Sequence, residues 1–283
     1  YPIKSCAGVR LERSRLFAHG LEWDRQWMVV DGQGEFLTQR GHPRMALIRP
    51  RITQSHLVLE FPGLPDLRLP LQPQESQQPP QPCRVRVWRD WVQAWELGEQ
   101  AAEAAQWLGE ALRTPCRLVR FDNEQPRAAS AQWAGDDDAP VHFADGFPLL
   151  LLSQSAVDGL NQRLAAAGEP GVDARRFRPN ILIAGLDAHG EDRVRRFELP
   201  QLPGLALRPC KPCTRCPIPD IDPDTAVPGK AVGAAMRAYR RDARVGGALT
   251  FGMNAVVCGL PAQPQAWVEL SAGQLLEGCL QPA

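Results

Sequence analysis

The 283-residue sequence predicts an α+β, β-rich fold of barrel type, and three observations carry that prediction. Short runs with strand alternation recur along the chain, punctuated by proline and glycine. Helical periods are few and dispersed rather than alternating with strands, so a doubly wound nucleotide-binding sheet is not expected. No GxGxxG or GxxxxGK[ST] segment occurs, which removes dinucleotide and P-loop phosphate binding.

The elements follow in order. Trp27-Met28-Val29-Val30 and Phe36-Leu37-Thr38 flank the turn sequence Asp31-Gly32-Gln33-Gly34 and read as a hairpin. Met45 to Ile48, Leu57 to Phe61 and Leu67 to Leu71 continue as strands, and Pro73 to Pro82 reads as an exposed loop. Arg84 to Trp88 and Trp91 to Trp95 alternate with strand period. Glu99 to Leu112 is the first helix, with Ala101, Ala104, Ala105, Leu108 and Leu112 on one face. A strand is expected at Arg117 to Phe121, then a polar boundary or mobile loop from Asp122 to Pro140 that includes Asp136-Asp137-Asp138. Ser155-Ala156-Val157-Asp158 resembles a capping box that opens a second helix carrying Val157, Leu160 and Leu164. Ile181 to Ala184, Leu205 to Leu207, Ala255 to Val257 and Trp267 to Leu270 complete the strands.

Composition excludes several classes. The 32 basic and 32 acidic side chains balance, so neither a nucleic-acid-binding surface nor a polybasic membrane surface is expected. No apolar run approaches the roughly 18 residues of a spanning helix. Only Lys4, Lys211 and Lys230 are lysines among those 32 cations. The arginine bias fits a GC-rich bacterial source, and it makes each lysine a residue to explain. Eight cysteines in so long a chain, three of them within seven residues, favour a reducing, cytoplasmic setting over a disulfide scaffold.

Those three stand in Cys210-Lys211-Pro212-Cys213-Thr214-Arg215-Cys216-Pro217. The spacing suits a soft metal, but a bacterial ferredoxin run needs a fourth cysteine where Asp220 stands, and a zinc site needs a fourth ligand. Spacing alone leaves open iron–sulfur, zinc, another metal or nucleophilic role, and structural cysteines. Arg215 beside Cys216, with Lys211 near, favours one reactive or metal-bound sulfur next to an anionic ligand.

Six short segments in order resemble the MOSC-domain molybdenum-cofactor proteins, in the branch of the mitochondrial amidoxime-reducing component and its bacterial YcbX-type relatives. They are Tyr1-Pro2-Ile3-Lys4-Ser5-Cys6, Asp24-Arg25-Gln26-Trp27-Met28-Val29, Phe143-Ala144-Asp145-Gly146-Phe147-Pro148, Phe177-Arg178-Pro179-Asn180-Ile181, Lys211 to Cys216 followed by Asp222-Pro223-Asp224-Thr225, and Phe251-Gly252-Met253-Asn254. The resemblance implies an N-terminal MOSC-associated β-barrel domain over residues 1–121 and a C-terminal MOSC β-barrel domain over 122–283. The molybdenum cofactor (a molybdenum-pyranopterin) is expected between them. Cys216 is implied as the metal ligand and catalytic residue, with Cys213 as a neighbour of unassigned role. Lys4, Ser5, Arg25, Asp145, Gly146, Arg178, Thr214, Arg215 and Asn254 are implied around the cofactor.

These residue types suit an anionic pterin phosphate. Lys4 and Ser5 offer a point charge and a hydroxyl, Arg25 and Arg178 offer guanidinium forks, and Gly146 permits close backbone approach. Each has a plainer reading. A single arginine is by default solvated or ion-paired, Asn180 suits a strand start, and Asp222 to Thr225 is a good turn sequence. The implied activity is reduction of a small N-hydroxylated substrate (amidoxime, hydroxylamine or N-hydroxylated base analogue) to the amine or amidine. Electrons would come from a separate ferredoxin-type or flavin donor, since the sequence carries no ferredoxin domain or membrane anchor of its own. The alternative is a carrier of the cofactor, or of sulfur, without turnover.

Overall fold

A computed structural model of the chain describes residues 1–72, 77–125, 127–135, 137, 139–260, 263 and 265–280. The expected loop from Pro73 and the polar segment around Asp136 and Asp138 therefore lie partly outside the described residues.

Strands dominate, as the alternation predicts. In the N-terminal part, Trp27–Val30, Arg117–Phe121, Asp90–Glu96 and Pro82–Val87 form an antiparallel four-stranded sheet in that order. Its first strand shows why a period of two matters: Trp27 and Val29 enter one core, and Met28 and Val30 enter another. The first core lies under a three-stranded sheet, Arg49–Ile52, His56–Glu60 and Leu67–Pro70, and under the helix Ala101–Leu112. That helix buries Ala104, Trp107, Leu108, Ala111 and Leu112. It ends at Arg113, which adopts the left-handed conformation usual at a helix C-terminus.

The C-terminal part is built on a larger sheet. Its strands run Ile181–Ile183, Leu149–Ser153, Ala248–Cys258, Ala206–Thr214, Val194–Glu198 and Glu277–Leu280 across the sheet, and Arg241–Asp242 joins at one side. Leu149 and Leu151 point to one core, while Leu152 meets the helix Gln154–Ala166 through Ala156, Val157, Leu160 and Leu164. The 11-residue strand Ala248–Cys258 curls at Gly252. There φ is +78°, and a Cβ would lie 2.6 Å from the Leu151 carbonyl oxygen, so the close approach requires glycine. The N-terminal strand Arg13–Phe17 pairs with Val268–Ser271, and Leu16 packs in the core of the large sheet. The two ends of the chain are thereby tied together.

Several expected elements differ. Met45 to Ile48 is not a strand but the end of a 3₁₀ turn, Pro43–Leu47, because Pro43 presets φ for a helical start. Phe36 makes only an isolated bridge to Val30 rather than a full hairpin strand. The second helix opens after Ser153, not Ser155, and the Ser155 hydroxyl donates to the Leu186 carbonyl at 2.6 Å instead. Leu205 to Leu207 is the start of a nine-residue strand that carries Cys210 and Cys213 inside the sheet.

Candidate functional site

Six segments distant in sequence meet between the two parts. Ile3 bridges Trp27, and the Lys4 amide donates to the Trp27 carbonyl at 2.9 Å, so Lys4 and Ser5 lie beside the turn holding Arg25. The Arg25 carbonyl accepts the Phe143 amide at 3.1 Å, which brings in Asp145 and Gly146. The Arg25 guanidinium reaches the Arg178 carbonyl at 3.4 Å, and Arg178 donates to the Cys6 carbonyl at 2.6 Å. Arg215 then joins the last segment by donating to the carbonyls of Phe177 at 2.8 Å and Phe251 at 3.0 Å.

Backbone strain gathers at the same place. Ser5, Arg25 and Arg178 have φ of +66°, +47° and +60°, a region that residues with a Cβ seldom adopt. Strained non-glycine residues that survive in a fold are over-determined by their surroundings and cluster at functional sites.

The electrostatics are those of an anion site. Lys4 is only 5 % exposed, and its ammonium donates to the Phe143 carbonyl at 2.8 Å and to Asp145 Oδ1 at 2.5 Å. Burial lowers its pKa, and Asp145 works against that. Burial alone would raise the Asp145 carboxyl; the Lys4 charge and hydrogen bond, with the Trp88 indole N–H, hold it well below the usual carboxylate range instead. Arg25 and Arg178 stand close enough to repel, and Asp24 pairs with Arg25 at 2.6 and 2.7 Å. Burial, then Arg25, lowers the Arg178 pKa, and its Nη2 is buried with no partner among the described residues. A desolvated guanidinium nitrogen without an acceptor is costly. It fits a group that brings phosphate or pterin acceptor atoms. Beside Asp145, a Cβ on Gly146 would meet nothing within 4 Å, so the loop faces open space.

The three cysteines separate. Cys210 is half-buried, its thiol is directed to the Asn254 carbonyl at 3.4 Å, and burial pushes it up to about 12. Cys213 is raised by burial as well and feels Arg215, Asp145 and Cys216. Both are held as thiols, the weaker metal-ligating form. Cys216 lies past the strand end and is partly accessible. Among the described residues no group of three or more His, Cys, Asp or Glu side chains converges to hold a metal. The thiolate cage needed for a zinc or iron–sulfur reading is therefore not formed. The residues instead fit a cofactor that brings its own metal and needs one protein sulfur.

The remaining expected residues fall as follows. Thr214 is exposed at the strand end, opposite Thr250. Arg215 spends three of its five donors on backbone carbonyls, so it braces the segment and keeps two for a ligand. Asn254 pairs with Leu150 on one side and Lys211 on the other. Asn180 does what its strand-start reading predicts, accepting the Leu150 amide at 3.0 Å. The sequence reading passes over Trp88, whose indole N–H donates to Asp145 Oδ1 at 3.1 Å. The available signal was that the expected strands leave only Arg89 and Asp90 between them, which implies a tight turn but does not say that Trp88 enters it.

Comparison with known proteins agrees with this geometry. Residues 1–115 match the family described as the MOSC N-terminal beta barrel domain, and residues 138–274 match the MOSC domain. The chain is 34% identical over 236 residues to mitochondrial amidoxime-reducing component 1 of Mus musculus, covering 80% of this chain and 65% of that protein. Against the Homo sapiens component 1 the identity is 32% over 238 residues, covering 80% and 66%. Molybdenum cofactor sulfurase of Homo sapiens is 30% identical over 228 residues, covering 75% of this chain and 25% of that protein. The chain thus spans just under two thirds of the length of these amidoxime-reducing components. With an N-terminal MOSC β-barrel domain followed by a MOSC domain, the chain belongs to the MOSC-domain proteins.

Proposed function

We propose that the protein is a molybdenum-cofactor-dependent reductase of N-hydroxylated compounds: amidoximes, hydroxylamines and N-hydroxylated base analogues. The observation that carries this reading is the buried cationic cradle of Lys4, Arg25 and Arg178, whose Arg178 Nη2 has no partner among the described residues, tied through Arg215 to the segment that carries Cys216. The similarity to amidoxime-reducing components supports it.

When bound, the cofactor supplies two-electron removal of oxygen from nitrogen. The protein's own residues bind and orient. Cys216 gives one sulfur to the metal. Lys4, Ser5, Arg25 and Arg178 hold the phosphate end through charge-assisted bonds, which are shorter and stronger than neutral ones. Asp145, Gly146, Thr214, Arg215 and Asn254 line the remainder. We place the boundary between the two domains at 121/122, with the strand Arg13–Phe17 contributed to the second. Electrons come from a separate ferredoxin-type or flavin donor. All eight cysteines are free, in keeping with a reducing, cytoplasmic setting, and no described helix is long and apolar enough to cross a membrane.

The test loads the protein with molybdenum in a cofactor-competent host, measures metal by plasma mass spectrometry, and follows benzamidoxime with an artificial reductant. Near-stoichiometric molybdenum with turnover that Cys216→Ala abolishes is the expected result. Turnover retained in Cys216→Ala overturns the assignment of that residue. The similarity to molybdenum cofactor sulfurase favours a second reading, a cofactor or sulfur carrier. Stoichiometric molybdenum without steady reduction would select it.

A further inference from the structure

The strands Pro82–Val87 and Asp90–Glu96 form a hairpin in which Val87 pairs with Asp90, leaving Trp88 and Arg89 as a two-residue turn. Trp88 has φ of +59°, and Arg89 is not in the left-handed region. Positive φ at the first central position of such a turn is the type II′ pattern, for which glycine is the default. A tryptophan there is a steric outlier, and it persists because its surroundings hold it. The indole N–H donates to Asp145 Oδ1 at 3.1 Å, the oxygen that also receives Lys4. Arg40 stacks on the ring at 4.5 Å and Phe36 meets it edge-on at 5.1 Å. Even so, Trp88 remains 42 % exposed, and the Asp145 side chain beside it is 75 % exposed. A strained turn thus presents a fixed, half-open aromatic surface beside the Lys4–Asp145 pair.

We propose that Trp88 is a specificity-determining residue, a wall on which the planar aromatic part of an N-hydroxylated substrate stacks. This deepens the reductase reading and rests on it. Tryptophan suits the task because it offers a large, rigid apolar face with little rotamer freedom to lose, and offset stacking adds to the area it buries. The hydrogen bond to Asp145 fixes the ring before the ligand arrives, which lowers the ordering cost of binding.

The test is equilibrium binding to the molybdenum-loaded protein, using benzamidine as the planar aromatic probe and acetamidine as its aliphatic counterpart. Trp88→Gly suits the turn and removes the ring. It is expected to weaken benzamidine at least tenfold and acetamidine less than threefold, while Trp88→Phe stays within threefold of the wild type for both. If Trp88→Gly does not fold, Trp88→Leu against Trp88→Phe makes the same comparison. The proposal is overturned by absence of saturable benzamidine binding to the wild type, by unchanged affinity without the ring, by equal losses for both probes, or by a Phe variant as weak as Gly. Turnover assays on benzamidoxime and hydroxylamine separate the two readings. Wild-type protein that binds benzamidine through Trp88 but reduces neither compound retains the wall and loses the reductase assignment.

Discussion

Lys4→Met separates what a residue does for the fold from what it does for a ligand. The methylene stem is kept, and the ammonium is lost with its bonds to the Phe143 carbonyl and Asp145. The Phe143 bond is buried and charge-assisted, worth about 1.5–3 kcal/mol, and the carbonyl left behind is unsatisfied. The Asp145 bond counts for less, because that side chain is three-quarters exposed and water replaces the lost partner; about 1 kcal/mol is a ceiling. Against these losses stands the cost of burying an ammonium, several kcal/mol, which Met does not bear. The opposing contributions nearly cancel, so the cofactor-free variant should lie within about 1.5 kcal/mol of the wild type in urea. That corresponds to a Tm change of no more than about 6 °C. Cofactor retention should respond much more strongly. Losing one charge-assisted bond to a phosphate costs about 1.5–3 kcal/mol, roughly 10- to 150-fold in affinity. Molybdenum content followed during dialysis reads this directly. A destabilised variant that still retains molybdenum like the wild type would refute the reasoning, because Lys4 would then be a structural residue.

Glu191 is fully buried, neither carboxylate oxygen has a partner among the described residues, and burial raises its pKa. Its favourable contribution is complete below the unfolded value and is lost as pH rises through the folded one, at about 1.4 kcal/mol per unit of separation. Glu191→Gln should therefore gain on the wild type as urea titrations move from pH 4 to 8, and parallel curves would disprove this. His19 and His142 stack at 4.0 Å, and burial lowers them to about 4 and about 3. With folded values below the ordinary 6.5, their contribution is present above pH 6.5 and is lost as pH falls toward 3; His142→Phe should flatten that acid limb of stability. Asn180→Ala removes the acceptor for the Leu150 amide and should cost about 1–3 kcal/mol, read as a lower urea midpoint with an unchanged slope.

Much of this was legible in the chain because it is local. Alternation placed Pro82–Val87, Asp90–Glu96 and Arg117–Phe121 within a residue or two, and the 3.6 period placed Ala101–Leu112. Pro43 was readable as a breaker, but the apolar run after it suggested a strand, and a run of four cannot distinguish a buried turn from an edge. The site residues were found through short segments whose order matched a family. That order says which residues belong together, and nothing about how they meet.

The sequence by itself determined the β-rich class, the dispersed helices, and the residue types able to hold an anionic, sulfur-ligated cofactor. The tertiary structure decided the setting of each cysteine, since burial raises the Cys210 and Cys213 thiols within the strand while Cys216 lies past the strand end. It also decided that Lys4 meets Asp145 across 141 positions and Arg25 meets Arg178 across 153. And it set the Trp88 indole against Asp145. The reason is physical: periodicity and propensity act over a few residues, whereas burial, charge pairing and left-handed strain depend on neighbours that only the folded chain supplies.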